Sequence, residues 1–103
     1  MNQEIIDKIT ILKNQLMAEG FIIEGIFGSY IRGENNPESD IDILYNLNSE
    51  FRNNYKGFKA VAKIDSIQEF ISNKLKINAD LVYINSLNSI SAEYILPEVM
   101  YVV

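Results

Sequence analysis

The sequence predicts a mixed α+β (α/β) fold, in which a short sheet of about four strands is covered by helices on at least one face. Two segments carry apolar residues at helical spacing, and short runs rich in β-branched and aromatic residues lie between and after them. The 103 residues are 48% hydrophobic and 22% charged. This composition is typical of one globular domain, which we expect to span residues 1–103.

The N-terminal half predicts one long helix and two strands. The helix is indicated by apolar residues spaced by four, three and four, with Gly20 placed to end it: Ile5, Ile9, Leu12 and Leu16. The run FIIEGIF, residues 21–27, predicts a buried strand. Loop-forming residues fill 33–39, and DIDILYN, residues 40–46, predicts the second strand.

The C-terminal half predicts a second long helix, a third strand and a short closing segment. Residues 55–75 have helical spacing, although Asp65 with Gln68 could cap a new helix within this stretch. ADLVYIN, residues 79–85, predicts a strand, and SAEYIL, residues 91–96, a short helix. The final VMYVV predicts a fourth strand that either pairs within the sheet or joins an oligomer interface.

Composition narrows the chemistry that this chain can perform. Cysteine and histidine are both absent, so ionic chemistry must rest on carboxylates, which suit hard cations such as magnesium. The net charge of −5 argues against stable nucleic-acid binding, which needs a basic surface. No apolar run is long enough to cross a membrane, and the charged N-terminus lacks a signal-peptide core. We therefore expect no membrane association and a cytoplasmic protein.

Gly28 and Ser29 follow the first strand and indicate a backbone turn that could approach a ligand. A short helix beginning at Ser29 would offer a hydroxyl and free N–H groups to phosphate. Arg32, one turn further, could add a charge-assisted hydrogen bond to a polyphosphate. The alternative is a plain turn with a serine N-cap.

Three aspartates are candidate metal ligands. Residues i and i+2 of a strand share one face, which places Asp40 and Asp42 about 6.6 Å apart while Ile41 and Ile43 face the core. Such a carboxylate pair can bridge two divalent ions, or it can simply lie on a solvated strand face. Asp80 could join them if its strand neighbours theirs; otherwise it only caps the entry to that strand.

Together these residues resemble the signature of the DNA polymerase β-like nucleotidyltransferase superfamily, and in particular its minimal nucleotidyltransferase (MNT) family, the antitoxins of HEPN/MNT toxin–antitoxin pairs. The matching positions are Gly28, Ser29, Arg32, Gly33, Ser39, Asp40, Asp42 and Asp80-Leu81-Val82. Ile31 departs from the pattern, which often has a small residue there. The resemblance covers nearly the whole chain. It implies the nucleotidyltransferase fold, with helices packed mainly on one face of a short mixed sheet.

The resemblance also implies roles for these residues. Asp40, Asp42 and Asp80 would be catalytic and would ligate two Mg²⁺ ions, and Asp80 would help to deprotonate the acceptor. Gly28, Ser29, Arg32 and Ser39 would bind the nucleotide, with ATP as the AMP donor.

The implied acceptor is a tyrosine of a cognate HEPN-type toxin. Two alternatives stay open: a non-catalytic antitoxin that masks its partner, and nucleotidyl transfer to a small molecule such as an aminoglycoside. The sequence also leaves open a homodimer or a hetero-oligomer.

Arg52, Lys56, Lys59 and Lys63 would form one basic stripe if residues 52–63 were a single helix. The stripe could line the nucleotide cleft, meet an acidic partner or be a solvated face.

Overall fold

A computed structural model describes all 103 residues, which form five α-helices and one four-stranded sheet. Single 3₁₀ turns follow the third strand and the fifth helix. The elements are α1 Gln3–Met17, β1 Phe21–Phe27, α2 Ser29–Arg32, β2 Ile41–Leu47, α3 Ser49–Asn54, α4 Phe58–Leu75, β3 Ala79–Tyr83, α5 Ser89–Ile95 and β4 Met100–Tyr101.

The sheet is mixed and has the strand order β3-β2-β1-β4. β1 pairs antiparallel with both β2 and β4, whereas β2 and β3 run parallel. A parallel pair needs a long crossover connection, and here α3 and α4 supply it. The predicted mixed sheet of about four strands is confirmed.

The hydrophobic core lies between one face of the sheet and the helices α1, α3 and α4. Each long helix contributes three buried residues at a spacing of three or four, which is one face of an α-helix. The sheet contributes alternate residues, as the pleat requires. The fully buried members include Ile9, Phe21, Ile23, Ile26, Ile41, Ile43 and Ile71.

The segment between β2 and β3 differs from the prediction. It contains two helices, because α3 ends at Asn54 and α4 begins only at Phe58, after Gly57 with a φ of 56°. The condition for a single basic stripe is therefore not met: Arg52 lies on α3, Lys56 in the link, and Lys59 and Lys63 on α4. The alternative of a break at Asp65 is also wrong, since α4 is continuous through it.

The C-terminal segment returns to the sheet. A capping box between Asn88 and Ser91 starts α5. β4 then pairs with the middle of β1, so of the two alternatives for the tail, pairing within the sheet is observed. No helix in the structure has the length and apolar character needed to span a bilayer.

Candidate active site

The turn between β1 and α2 approaches a carboxylate so closely that only glycine fits there. Gly28 is buried and has a φ of 83°, a conformation that side chains rarely adopt. A Cβ placed on it would lie 2.0 Å from the Asp42 Oδ2 atom. The missing side chain therefore leaves room for the backbone of the turn to face Asp42, while the predicted approach of this turn to a ligand stays a prediction.

Asp42 and Asp80 lie side by side on neighbouring strands. β2 and β3 are parallel, and their register pairs Asp42 directly with Asp80. Paired residues share a face of the sheet, and neighbouring strands are about 4.8 Å apart. The strand of Asp80 therefore neighbours that of Asp42, which was the condition for Asp80 to join the other aspartates, and residues 38 positions apart in sequence lie next to each other.

Burial and the neighbouring carboxylates both raise the pKa of Asp42. Burial is the largest cause, followed by the charge of Asp80, a hydrogen bond with Asp80 and the charge of Asp40, and together they raise the pKa of Asp42 to about 6. Arg32 acts in the opposite direction. The half-buried carboxylate therefore sits among like charges with only one nearby cation, a setting in which a metal ion would favour its ionised form.

Asp40 and Ser39 lie at the entrance to β2. The strand begins at Ile41, so Asp40 is an exposed residue just before it rather than a strand residue. The Ser39 hydroxyl accepts a hydrogen bond of 2.9 Å from the Asn36 N–H and closes the preceding loop. The roles predicted for Asp40 and Ser39 in metal and nucleotide binding stay predictions.

Arg32 ends α2 and is held by two carboxylates. Its Nε donates to Glu34 at 2.7 Å, and its Nη1 donates to Glu98 at 2.6 Å. A guanidinium has five N–H donors, so these two bonds leave three available. The Arg32 side chain is 48% exposed, which leaves it accessible to a ligand beside Ser29.

Glu98 belongs to this site, although the sequence motif does not include it. Its Oε1 accepts hydrogen bonds from the Gly28 N–H at 2.8 Å and from Arg32. β1 and β4 pair Gly25 with Tyr101 and Ile26 with Met100, and the same antiparallel register continued by two residues places Gly28 opposite Glu98. Only this long-range register could have identified Glu98.

The carboxylates of the site suit a magnesium ion that is also bound by nucleotide phosphates. They do not form a complete metal site by themselves. No three carboxylates of the chain come together in an arrangement that could hold a metal ion on their own. Mg²⁺ is usually bound by one or two carboxylates, with phosphates and water completing its shell. Asp42 and Asp80 can supply such a pair, so the residues present fit the ion.

Comparison with known proteins identifies the family. Residues 25–99 match the family described as nucleotidyltransferase domain, a range that includes the glycine turn, the three aspartates and Glu98. The chain belongs to the nucleotidyltransferase domain family. It is also 34% identical over 101 residues to the protein adenylyltransferase MntA of Thermococcus cleftensis, covering 97% of this chain and 94% of that protein.

Solved structures agree on the fold. A minimal nucleotidyltransferase superposes with a TM-score of 0.73 at 20% identity, over 97% of this chain and 95% of that one. A toxin–antitoxin structure with AMP-PNP gives 0.68 at 20% identity, over 95% of this chain and 72% of that one. The nucleotidyltransferase fold implied by the sequence resemblance is confirmed, and the chain is a nucleotidyltransferase enzyme.

Proposed function

We propose that this nucleotidyltransferase transfers AMP from ATP, with magnesium, to a tyrosine hydroxyl of a cognate HEPN-type toxin and so acts as its antitoxin. The observation that carries the proposal is the in-register pair of Asp42 and Asp80 facing the Gly28 turn. It combines ion-binding carboxylates with a backbone turn that admits phosphate groups. The relative named protein adenylyltransferase supports AMP as the transferred group.

In this proposal two groups of residues bind different parts of the nucleotide. Asp40, Asp42 and Asp80 hold two magnesium ions, which when bound neutralise phosphate charge and polarise the α-phosphate. Gly28, Ser29 and Arg32 contact the β- and γ-phosphates, and Ser39 lies beside them. With magnesium bound, the Asp42–Asp80 pair would position the α-phosphate for transfer.

The transfer forms one bond and breaks one bond. The acceptor oxygen attacks the α-phosphorus, and the bond from that phosphorus to the oxygen bridging to the β-phosphate breaks, so that pyrophosphate leaves. Asp80 receives the proton of the acceptor hydroxyl and, because its side chain is exposed, can pass it to water. Arg32 and the backbone of the glycine turn stabilise the charge of the leaving pyrophosphate.

The openness of the site is compatible with a protein acceptor. None of the three surface cavities is lined by the Gly28 turn or by any of the three aspartates. The exposed side chain of Asp80 can be reached by a side chain that a partner protein presents. The toxin–antitoxin structure of similar fold supports such a partner, and we place the complex in the cytoplasm.

Intact-mass spectrometry tests the proposal directly. The purified chain is incubated with ATP, magnesium and the product of the neighbouring gene, and the mass of every protein is read. We expect the partner to gain one or more AMP units, and peptide mapping should locate them on tyrosine. Asp40→Asn/Asp42→Asn should abolish the gain, whereas Asp65→Asn, an exposed aspartate on α4, should leave it intact.

Two results would contradict the proposal. A partner that is bound tightly but never modified would indicate a masking antitoxin instead. Modification of an added small molecule such as an aminoglycoside, with the partner unmodified, would show transfer to a different class of acceptor.

A further inference from the structure

Glu98 connects two distant parts of the chain at the proposed phosphate site. One carboxylate oxygen accepts from both the Gly28 N–H and the Arg32 guanidinium. Its side chain is 25% exposed, against 63% for Glu34, the other partner of Arg32. Glu98 is therefore the better shielded of the two partners, and its hydrogen bonds are screened less by water.

The strand that follows Glu98 is too short to fix this geometry alone. β4 contains two residues, with Gly25 and Ile26 as their partners on β1. Beyond that pairing, the Val102 N–H donates to the Glu24 carbonyl on β1, and the Glu98 side chain bonds to the glycine turn itself by accepting from the Gly28 N–H. Glycine has more backbone freedom than other residues, and the hydrogen bond from the Gly28 N–H to the Glu98 carboxylate restricts that freedom in the turn.

We propose that Glu98 is a positioning residue, which holds the Gly28 turn and the Arg32 guanidinium in the arrangement that receives the phosphates of the nucleotide. The inference rests on the proposed function, since it assumes that these two groups meet phosphate. Arg32 keeps three N–H donors free while bound to its two carboxylates, so Glu98 can orient it without blocking it. Removing Glu98 should free both groups and weaken nucleotide binding.

The competing interpretation makes the opposite prediction. If the Glu98 carboxylate occupied the place of a phosphate, ATP would have to displace it, and any substitution that removes its charge would strengthen ATP binding. Glu98→Gln separates the two interpretations, because it removes the charge but keeps an oxygen that can accept both hydrogen bonds. Glu98→Ala removes the charge and the acceptor together.

The test measures the affinity for ATP with magnesium by titration calorimetry, for wild type and both variants. We expect Glu98→Ala to raise Kd roughly tenfold and Glu98→Gln to stay within about threefold of wild type, as loss of charged hydrogen bonds implies. Glu93→Ala, an exposed carboxylate on α5 without an ion pair, is the matched control and should not change Kd. Far-UV circular dichroism checks that each variant is folded.

A second readout does not depend on the nucleotide. Selective ¹⁵N-glycine labelling gives five amide signals for the five glycines, and Gly28→Ala identifies the signal of Gly28 by its absence. Glu98→Ala should shift this signal far more than Glu93→Ala does, with Glu98→Gln between them. In transfer assays, Glu98→Ala should raise KM for ATP more than it lowers kcat.

Three other outcomes would contradict the role proposed for Glu98. If wild type binds ATP and Glu98→Ala binds it equally well, Glu98 has no positioning role. If both Glu98 variants bind ATP more tightly, the carboxylate competes with phosphate. If wild type binds no ATP, the proposed function fails and the role of Glu98 fails with it.

Discussion

Asp42→Asn should abolish nucleotidyl transfer and at the same time stabilise the metal-free protein. The folded protein raises the pKa of Asp42 to about 6 from an ordinary 3.8, so the ionised carboxylate is disfavoured in the fold. At about 1.4 kcal/mol per pH unit, this difference sets an upper limit of roughly 3 kcal/mol on the cost at neutral pH. Because the side chain is partly exposed, solvent screening reduces the expected gain in Asp42→Asn to about 1 kcal/mol.

The pH dependence of this gain has a definite sign. Above pH 6 both folded and unfolded wild type carry an ionised Asp42, and the folded state bears the whole cost. Below about pH 4 the carboxyl is protonated in both states, and the cost disappears. The stability of wild type relative to Asp42→Asn should therefore fall as pH rises from about 4 to about 6, and then stay constant.

Urea denaturation followed by far-UV circular dichroism measures the free energy of unfolding in EDTA between pH 4 and 8. Asp65→Asn serves as control, with an expected change below about 0.5 kcal/mol at every pH. Magnesium should stabilise wild type more than Asp42→Asn, because the ion relieves the cost that the substitution removes. Equal or lower stability of Asp42→Asn at pH 8, or a gain that does not vary with pH, would show that the ionised Asp42 carboxylate does not destabilise the fold.

Three further predictions concern neighbouring residues. Gly28→Ala should abolish transfer and lower the free energy of unfolding by about 2–3 kcal/mol, since its Cβ would meet Asp42 at 2.0 Å. Gly33→Ala is the control, because Gly33 also has a positive φ but nothing lies within 4 Å of its Cβ position, and it should cost about 1 kcal/mol. Equal costs for the two variants in thermal melts would contradict the close approach of Gly28 to Asp42. Asp80→Asn should lower the pKa of Asp42 only part of the way to its ordinary value, because burial is the larger cause of the raised pKa. A ¹³C NMR titration of the Asp42 carboxyl measures this change. Phe51→Ala should cost about 3–5 kcal/mol in urea denaturation, because this ring is 1% exposed within the core.

Local patterns predicted most of the elements. The spacing in α1 and the β-branched run of β1 are properties of neighbouring residues, and both elements form where the sequence indicates them. The helical spacing of residues 55–75 indicated α4, which begins at Phe58, but it did not reveal the separate helix α3, which ends at Asn54 before the link that contains Gly57. Asn48, which caps α3 through Phe51, was the local signal for the missed helix.

The site residues that belong to the sequence motif could be predicted. The residue that reaches the site through the pairing of β4 with β1 could not. Gly28 and Asp42 lie in one continuous stretch with recognisable turn and strand residues. The contact of Glu98 with Gly28 depends on the antiparallel pairing of β4 with β1, and such pairing joins residues that no local pattern links. That residues 1–103 form a single minimal domain stays a prediction.

The charges of the candidate site indicate that magnesium and nucleotide should bind to it together. The candidate site contains five carboxylates and one guanidinium. Glu34 and Glu98 are bonded to Arg32, and the charges of Asp40 and Asp80 act on Asp42. This excess of negative charge adds to the effect of burial, which is the larger cause, in raising the pKa of Asp42, and it therefore costs the folded chain stability. Nucleotide phosphates alone would add to the repulsion, so nucleotide and cation should bind with positive coupling. By linkage, magnesium must then raise the affinity for ATP by the same factor as ATP raises the affinity for magnesium.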